Sequence, residues 1–238
     1  MQRYFKDTKD NIYTLSVDDS HHILKVMRMN LNDKIEVVNN RILHIAKIIN
    51  NNNDIVTVEN IEEITEDNEL PLSITLVQAA VKEQKMDYIL QKSCELGISD
   101  VKVLNTKRSI VKLARKEDKK IIRWNKILKE ASEQSKRNKV PTVSNILDIK
   151  ELIKLDYDIK LLCTVNEKVK SIKKLLSNIN INDRIIFVVG PEGGFYPEEE
   201  ELMMSSGFIP ITLGNRVLRT ETASALVLSC INYQFMEE

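Results

Sequence analysis

The chain has 238 residues, 42% of them apolar, and its 35 basic and 35 acidic side chains cancel to a formal charge of zero. That composition supports a real core, in one large domain or in a small and a medium one, and total charge points neither toward nucleic acid nor away from it. No apolar run approaches the roughly 20 residues of a membrane span and the start of the chain lacks a signal-peptide pattern, so a cytoplasmic protein with no membrane partner is expected. Cys94, Cys163 and Cys230 form no CxxC pair and read as reduced core thiols. His21, His22 and His44 have no metal-ligand spacing, and no metal is expected.

In chain order, residues 2 to 64 read as short strands with one small helix. Arg3 to Phe5 forms an edge, and His21 to Arg28 is a compact segment after the capping-type residues Asp18 to Ser20. Lys34 to Val38 and Ile42 to Ile49 flank Asn39-Asn40, a hairpin turn signal because asparagine tolerates positive φ. Asp54 to Ile64 alternates as a further strand. Residues 1–68 thus make a small β domain, joined by the acidic linker Glu62 to Glu69 to a second domain over residues 72–238.

From Leu72 strands alternate with helices. Leu72 to Val77, Val101 to Leu104 and Ile159 to Cys163 read as strands; Glu83 to Leu96, closed by Gly97, and Val169 to Leu176 read as helices. Between Lys102 and Lys139 stand fourteen Lys or Arg against four acids, including a basic helix from Glu117 to about Lys136 that carries Trp124. Such a stretch in a neutral protein suggests a phosphate-facing surface, an ordinary solvated helix face being the other reading. The alternation implies a mostly parallel sheet covered on both sides.

The end of the chain repeats one pattern twice. Ile185 to Val189 is a β-branched strand that leads straight into Gly190, Pro191, Glu192, Gly193 and Gly194. Three glycines in that loop permit positive φ and let a ligand approach the main chain, while Pro191 stiffens it. Pro197 and the run Glu198 to Glu201 then open a helix with carboxylates at its positive end. Ile209 to Leu213 is the next strand, followed by Gly214, Asn215, Arg216, Val217, Leu218 and Arg219, with Thr220 as the cap of a last helix that buries Ala223, Leu226, Val227, Cys230 and Ile231. Two arginines and Glu221 crowded at a helix start suit an anionic or polar ligand; salt-bridged loop residues are the alternative.

GxGxxG and GxxxxGK[ST] are absent, and no serine-histidine-acid arrangement presents itself. The motifs that remain are Lys85-Met86-Asp87, Gln91 to Gly97, Arg108-Ser109 with Val111-Lys112, Arg123-Trp124, Glu130 to Ser135, Gly190 to Gly194 and Leu213 to Ala223. Together, along the length of the chain, they resemble the RsmE family of bacterial small-subunit ribosomal RNA methyltransferases, of the SPOUT superfamily. Asn39-Asn40 and Tyr196-Pro197 depart from the family's usual turn and helix start.

The resemblance implies an α/β fold with a PUA-like N-terminal β-barrel that binds RNA and a C-terminal trefoil-knotted domain. It implies a homodimer that uses S-adenosylmethionine to methylate N3 of a uridine in 16S ribosomal RNA or the small subunit. The cofactor would be held by Val189, Gly190, Pro191, Glu192, Gly193 and Gly194 from the first loop, and by Leu213, Gly214, Asn215, Val217, Leu218, Thr220, Thr222 and Ala223 from the second.

Uracil N3 is a weak nucleophile until it loses its proton, so Arg219 is expected to stabilise the activated base and Glu221 to take the proton or orient Arg219. Arg3, Lys25, Arg28, Lys82, Lys85, Arg108, Arg137 and Arg216 are the expected RNA contacts. The rival readings are a non-catalytic RNA-binding ribosome-assembly factor and a related methyltransferase acting at another RNA position.

Overall fold

The computed structural model describes residues 1–114 and 117–236, so Arg115 and Lys116 of the basic stretch lie outside it. The chain divides into two compact units: Met1–Glu69 with Ser132–Lys139, and Leu70–Ala131 with Val140–Glu238.

The first unit holds β1 (Arg3–Phe5), β2 (Ile12–Thr14), α1 (Val17–His21), β3 (Lys34–Asn39), β4 (Ile42–Asn50) and β5 (Thr57–Ile64). The strands form one sheet in the order β1-β3-β4-β5-β2, with β1 parallel to β3 and the other pairs antiparallel. Alternate residues such as Ile35 and Val37, Ala46 and Ile48, point into a core with Tyr4, Ile23 and Val58.

Local chemistry shifts several boundaries. Asn39 pairs with Ile42, so the hairpin turn is Asn40-Arg41, both at positive φ, one residue later than the sequence signal. The first helix is capped by Ser16, whose hydroxyl accepts from the Asp19 amide at 3.1 Å, so Asp18 to Ser20 lie inside it and a single π turn, His22–Val26, follows. Asn53 and Asp54 take positive φ in a short turn, which delays β5 to Thr57.

Glu62 to Glu69 is not a free linker. Its first residues belong to β5, and Glu69 Oε1 accepts from the Asn138 and Lys139 amides at 2.9 and 3.0 Å while its other oxygen pairs with Arg137.

The second unit holds β6 (Ser73–Ala79), α2 (Glu83–Glu95), β7 (Asp100–Leu104), α3 (Asp118–Gln134), β8 (Thr142–Leu147), α4 (Ile149–Leu152), β9 (Ile159–Cys163), α5 (Ile172–Leu176), β10 (Arg184–Val189), α6 (Pro197–Ser205), β11 (Ile209–Ile211) and α7 (Thr220–Phe235). All pairings in the sheet β11-β9-β10-β6-β7-β8 are parallel. Its central strands β6 and β10 are buried on both faces, as a covered parallel sheet requires. Ile185, Phe187 and Val189 of β10 pack with α2, α3 and α7, while Ile186 and Val188 face Phe195, Met203 and Phe208 on the other side.

Strand β8 and helix α4 carried no clear sequence signal. Thr142, Ser144 and Asn145 are exposed on an edge strand whose register shifts against β7, so no alternation shows. Helix α5 begins at Ile172, not Val169, because Glu167 Oε1 holds the amides of Lys168, Val169 and Lys170 in a loop. The segments after β9, β10 and β11, at the carboxyl ends of three adjacent parallel strands, are where an open α/β sheet forms its ligand crevice.

Candidate active site

That crevice is a cavity of about 570 Å3, within the range of small-ligand sites. Gly190 to Gly194 after β10 form one wall and Leu213 to Thr220 after β11 another, and Val189 and Ala223 also line it. Thr222 and Glu221 do not line the cavity.

The two loops are tied together at their base. Thr220 donates its hydroxyl to Gly190 O at 2.7 Å and accepts from Gln78 Nε2 at 2.9 Å. This corrects the reading of Thr220 as the helix cap. Arg219 takes the cap position, its carbonyl accepting from the Thr222 and Ala223 amides, and Thr220 is the first helical residue.

Glycine is needed at two points of the rim. Gly194 and Gly214 take φ of +66 and +110, which side-chain-bearing residues rarely adopt, and the space a Cβ would enter is open at both. At Gly193 a Cβ would lie 3.4 Å from the Arg108 side chain, an ordinary contact, so neither space nor backbone angle demands glycine there. Arg108 donates to Gly193 O and Phe195 O at 3.0 Å, and its guanidinium lies 4.3 Å from the Tyr196 ring centroid, with the Lys107 ammonium at 5.4 Å.

Arg216 and Arg219 are exposed on the cavity wall, and among the described residues neither side chain makes an ion pair or hydrogen bond. Lys85, also at the wall, sits 3.0 Å from Glu192 Oε1 and 3.5 Å from Glu221 Oε2. Its hydrogen bond to Glu192 raises the Lys85 pKa above the ordinary lysine value. Burial is the largest single influence on the Glu192 carboxyl and raises it, but the Lys85 hydrogen bond, a main-chain hydrogen bond and the charges of Lys85 and Lys82 together outweigh it, so the net shift is downward.

A third wall escaped the sequence reading. Thr164, Val165 and Asn166, after β9, line the cavity, and Glu200 fastens them: its carboxylate accepts from Thr164 Oγ1 at 2.7 Å and Asn166 Nδ2 at 2.9 Å. The acidic run at the start of α6 is therefore divided in role. Glu199 accepts from the Lys107 and Tyr196 amides at 2.8 and 2.9 Å, and both Glu199 and Glu200 are buried, while Glu198 and Glu201 are solvated. Cys163 is at the same wall; burial pushes its thiol up to about 12, so it offers no thiolate nucleophile near neutral pH.

The expected RNA contacts do not share one environment. Lys82 and Arg28 are exposed, and Lys25 is exposed beside Asp54 at 3.1 Å. Arg3 and Arg137 are buried, at 2% and 4% exposure. Arg3 donates to Glu36, to the carbonyls of Lys136 and Arg137 and to Asn138; Arg137 pairs with Glu69. A guanidinium with its donors committed inside a unit is not presented to a phosphate, so these two expectations are corrected. Among the described residues no group of His, Cys, Asp and Glu could hold a metal ion, and no helix is long and apolar enough to cross a membrane.

Residues 68–232 match the model of an RNA methyltransferase domain, and residues 15–59 match that of an RNA methyltransferase PUA domain. The chain belongs to the RNA methyltransferase family.

Within that family, Ribosomal RNA small subunit methyltransferase E of Bacillus subtilis (strain 168) is 34% identical, over 98% of this chain and 97% of the relative. The protein of the same name from Buchnera aphidicola subsp. Acyrthosiphon pisum (strain APS) is 32% identical, over 98% of this chain and 92% of its own. A crystal structure of a Ribosomal RNA small subunit methyltransferase E from Neisseria gonorrhoeae, bound to S-adenosyl methionine, matches with a TM-score of 0.89 at 32% identity, covering 99% of this chain and 98% of that one. The RsmE-family resemblance and the α/β fold with a PUA-like N-terminal domain therefore hold for this methyltransferase.

Proposed function

We propose that this chain transfers a methyl group from S-adenosylmethionine to N3 of a specific uridine in 16S ribosomal RNA. The observation that carries the reading is the cavity built from the Gly190–Gly194 and Leu213–Thr220 loops, in a chain whose relatives bear the name of small-subunit methyltransferases. The residues fit the cofactor: glycines at positive φ leave room at Gly194 and Gly214 for a ligand to lie against the main chain, and the volume suits a nucleoside-sized molecule. Backbone groups of Gly190 to Gly194 and of Leu213 to Leu218 would hold adenine and ribose.

S-adenosylmethionine supplies an electrophilic methyl on a sulfonium that departs as a neutral sulfide. No leaving-group acid is then needed, and the chain's task is positioning and charge stabilisation. Arg219, exposed at the cavity wall with its donors uncommitted among the described residues, would favour the uracil anion formed when N3 loses its proton. Glu221, in the first turn of α7, would take that proton.

The same reading assigns RNA binding to the first unit and to the exposed cations Lys25, Arg28, Lys82 and Arg216, with Arg108 at the pocket rim. It also places the enzyme in the cytoplasm as a homodimer, with a trefoil knot around the donor loops. Calorimetric titration with S-adenosylmethionine, followed by mass mapping of small-subunit RNA incubated with enzyme and donor, tests it. Saturable binding and one methylated uridine are expected; absence of donor binding would leave an RNA-binding assembly factor, and a methyl group on another atom or base would correct the target.

A further inference from the structure

Lys85 is where charge pattern and geometry part. It is an expected phosphate contact, yet its ammonium is engaged with two carboxylates: Glu192, in the loop after β10, at 3.0 Å, and Glu221, in the first turn of α7, at 3.5 Å. The Glu221 oxygen is buried and accepts no hydrogen bond among the described residues, so the Lys85 ammonium is the charge set against it. Glu192 and Glu221 approach one cation from two different segments, and without that cation their like charges would repel. A phosphate at Lys85 would have to share an ammonium whose charge two carboxylates already offset.

We infer that Lys85 is a positioning residue, which bridges Glu192 and Glu221 and so holds the Glu221 carboxylate in place for the uracil N3 proton. In the step it serves, the N3–H bond breaks, an O–H bond forms on Glu221, and the electron pair left on N3 takes the methyl group. The inference rests on the reading of Glu221 as proton acceptor.

Full-length Lys85→Met protein tests it by three measurements: RNA affinity against salt concentration, donor affinity by calorimetry, and single-turnover rate with both ligands saturating. RNA affinity and its salt slope should match the parent, while the rate falls by at least about tenfold, part of the 10²–10⁴ that a positioned base contributes. Lys85→Arg should recover most of that rate, since a guanidinium fork can span two carboxylates. Glu192→Gln breaks the bridge from its other side and should slow turnover in the same direction, which keeps the test open if Lys85→Met does not fold.

The Glu221→Gln, Lys85→Met double variant should be no slower than Glu221→Gln alone. A salt slope flattened by roughly 0.7 to 0.9 with an unchanged saturated rate would make Lys85 a phosphate contact and overturn the inference. Independent, multiplying effects of the two substitutions would overturn it as well. Normal single-turnover rates in Glu221→Gln would instead remove Glu221 from the reaction, a failure of the underlying reading that the same data identify separately.

Discussion

Arg3 and Arg137 look much like Arg216 and Arg219 in the sequence, and the structure treats the two pairs in opposite ways. The first pair is buried in its unit with Glu36, Glu69 and main-chain carbonyls as acceptors; the second is exposed on the cavity wall with no side-chain acceptor among the described residues. The difference is one of solvation. A guanidinium taken out of water must have its donors met inside the protein, whereas one left in water at a cavity rim keeps them for a ligand. Position in the chain predicts neither; each buried guanidinium has a partly buried carboxylate beside it, Glu36 or Glu69.

The largest effect that could break this comparison lies in the buried pair. Arg137→Met leaves Glu69 only 11% exposed with its cation gone, and should destabilise the protein by about 3 to 5 kcal/mol, read by urea unfolding. Arg216→Met at the rim should change stability by less than about 0.5 kcal/mol. Equal effects would mean that burial does not separate the two pairs.

Next in size is the cavity rim itself. Gly214→Ala forces a side chain into φ of +110 and should strain the loop by roughly 1 to 3 kcal/mol. Because the space around it is open, the loss should appear as weaker S-adenosylmethionine binding in calorimetry and not as a packing defect. Gly207, at φ of +90 but not among the residues that line the cavity, provides the control: its substitution should lower stability and spare donor affinity.

Acid sharpens the account of the buried pair. Burial raises the Glu36 carboxyl, but the hydrogen bonds and charges of Lys136 and Arg3 together outweigh it, so its folded pKa lies below the ordinary carboxylate value. A depressed carboxyl adds stability above its unfolded pKa, and that contribution is lost as pH falls through the folded one. Below about pH 4.5 the parent should therefore lose stability more steeply than Glu36→Gln, as thermal melts across that range would read.

The smallest effects belong to exposed cations. Neutralising Lys25, Arg28 or Lys82 should reduce the salt slope of RNA binding by roughly 0.7 to 0.9 each, with donor affinity unchanged. Arg3→Gln should act through stability instead, leaving the slope of the folded fraction as it was.

The cavity was legible because its two main walls announce themselves locally: strand, glycine-rich turn and helix start are adjacent in sequence. The third wall was not, since Thr164 and Asn166 carry no glycine signal and depend on Glu200, which reaches them from α6 across more than thirty positions. Within the run Glu198 to Glu201 nothing in the letters distinguishes the two buried carboxylates from the two solvated ones; the sheet beneath decides. Arg3 shows the same limit, its acceptors lying 33 to 135 positions away. The helix cap was misplaced by one residue because Thr220, a good cap by type, uses its hydroxyl to join Gly190 and Gln78.

The claim at the centre of the account is that Arg219 keeps its donors for the activated base. Single-turnover methyl transfer by Arg219→Ala, with S-adenosylmethionine and RNA both saturating, tests it most directly. An interaction realised in the transition state should cost about 2.7 to 4 kcal/mol, a rate loss of two to three orders of magnitude, with both affinities changed only a few-fold. A near-normal saturated rate accompanied by weakened donor binding would contradict the account and make Arg219 a clamp on the cofactor.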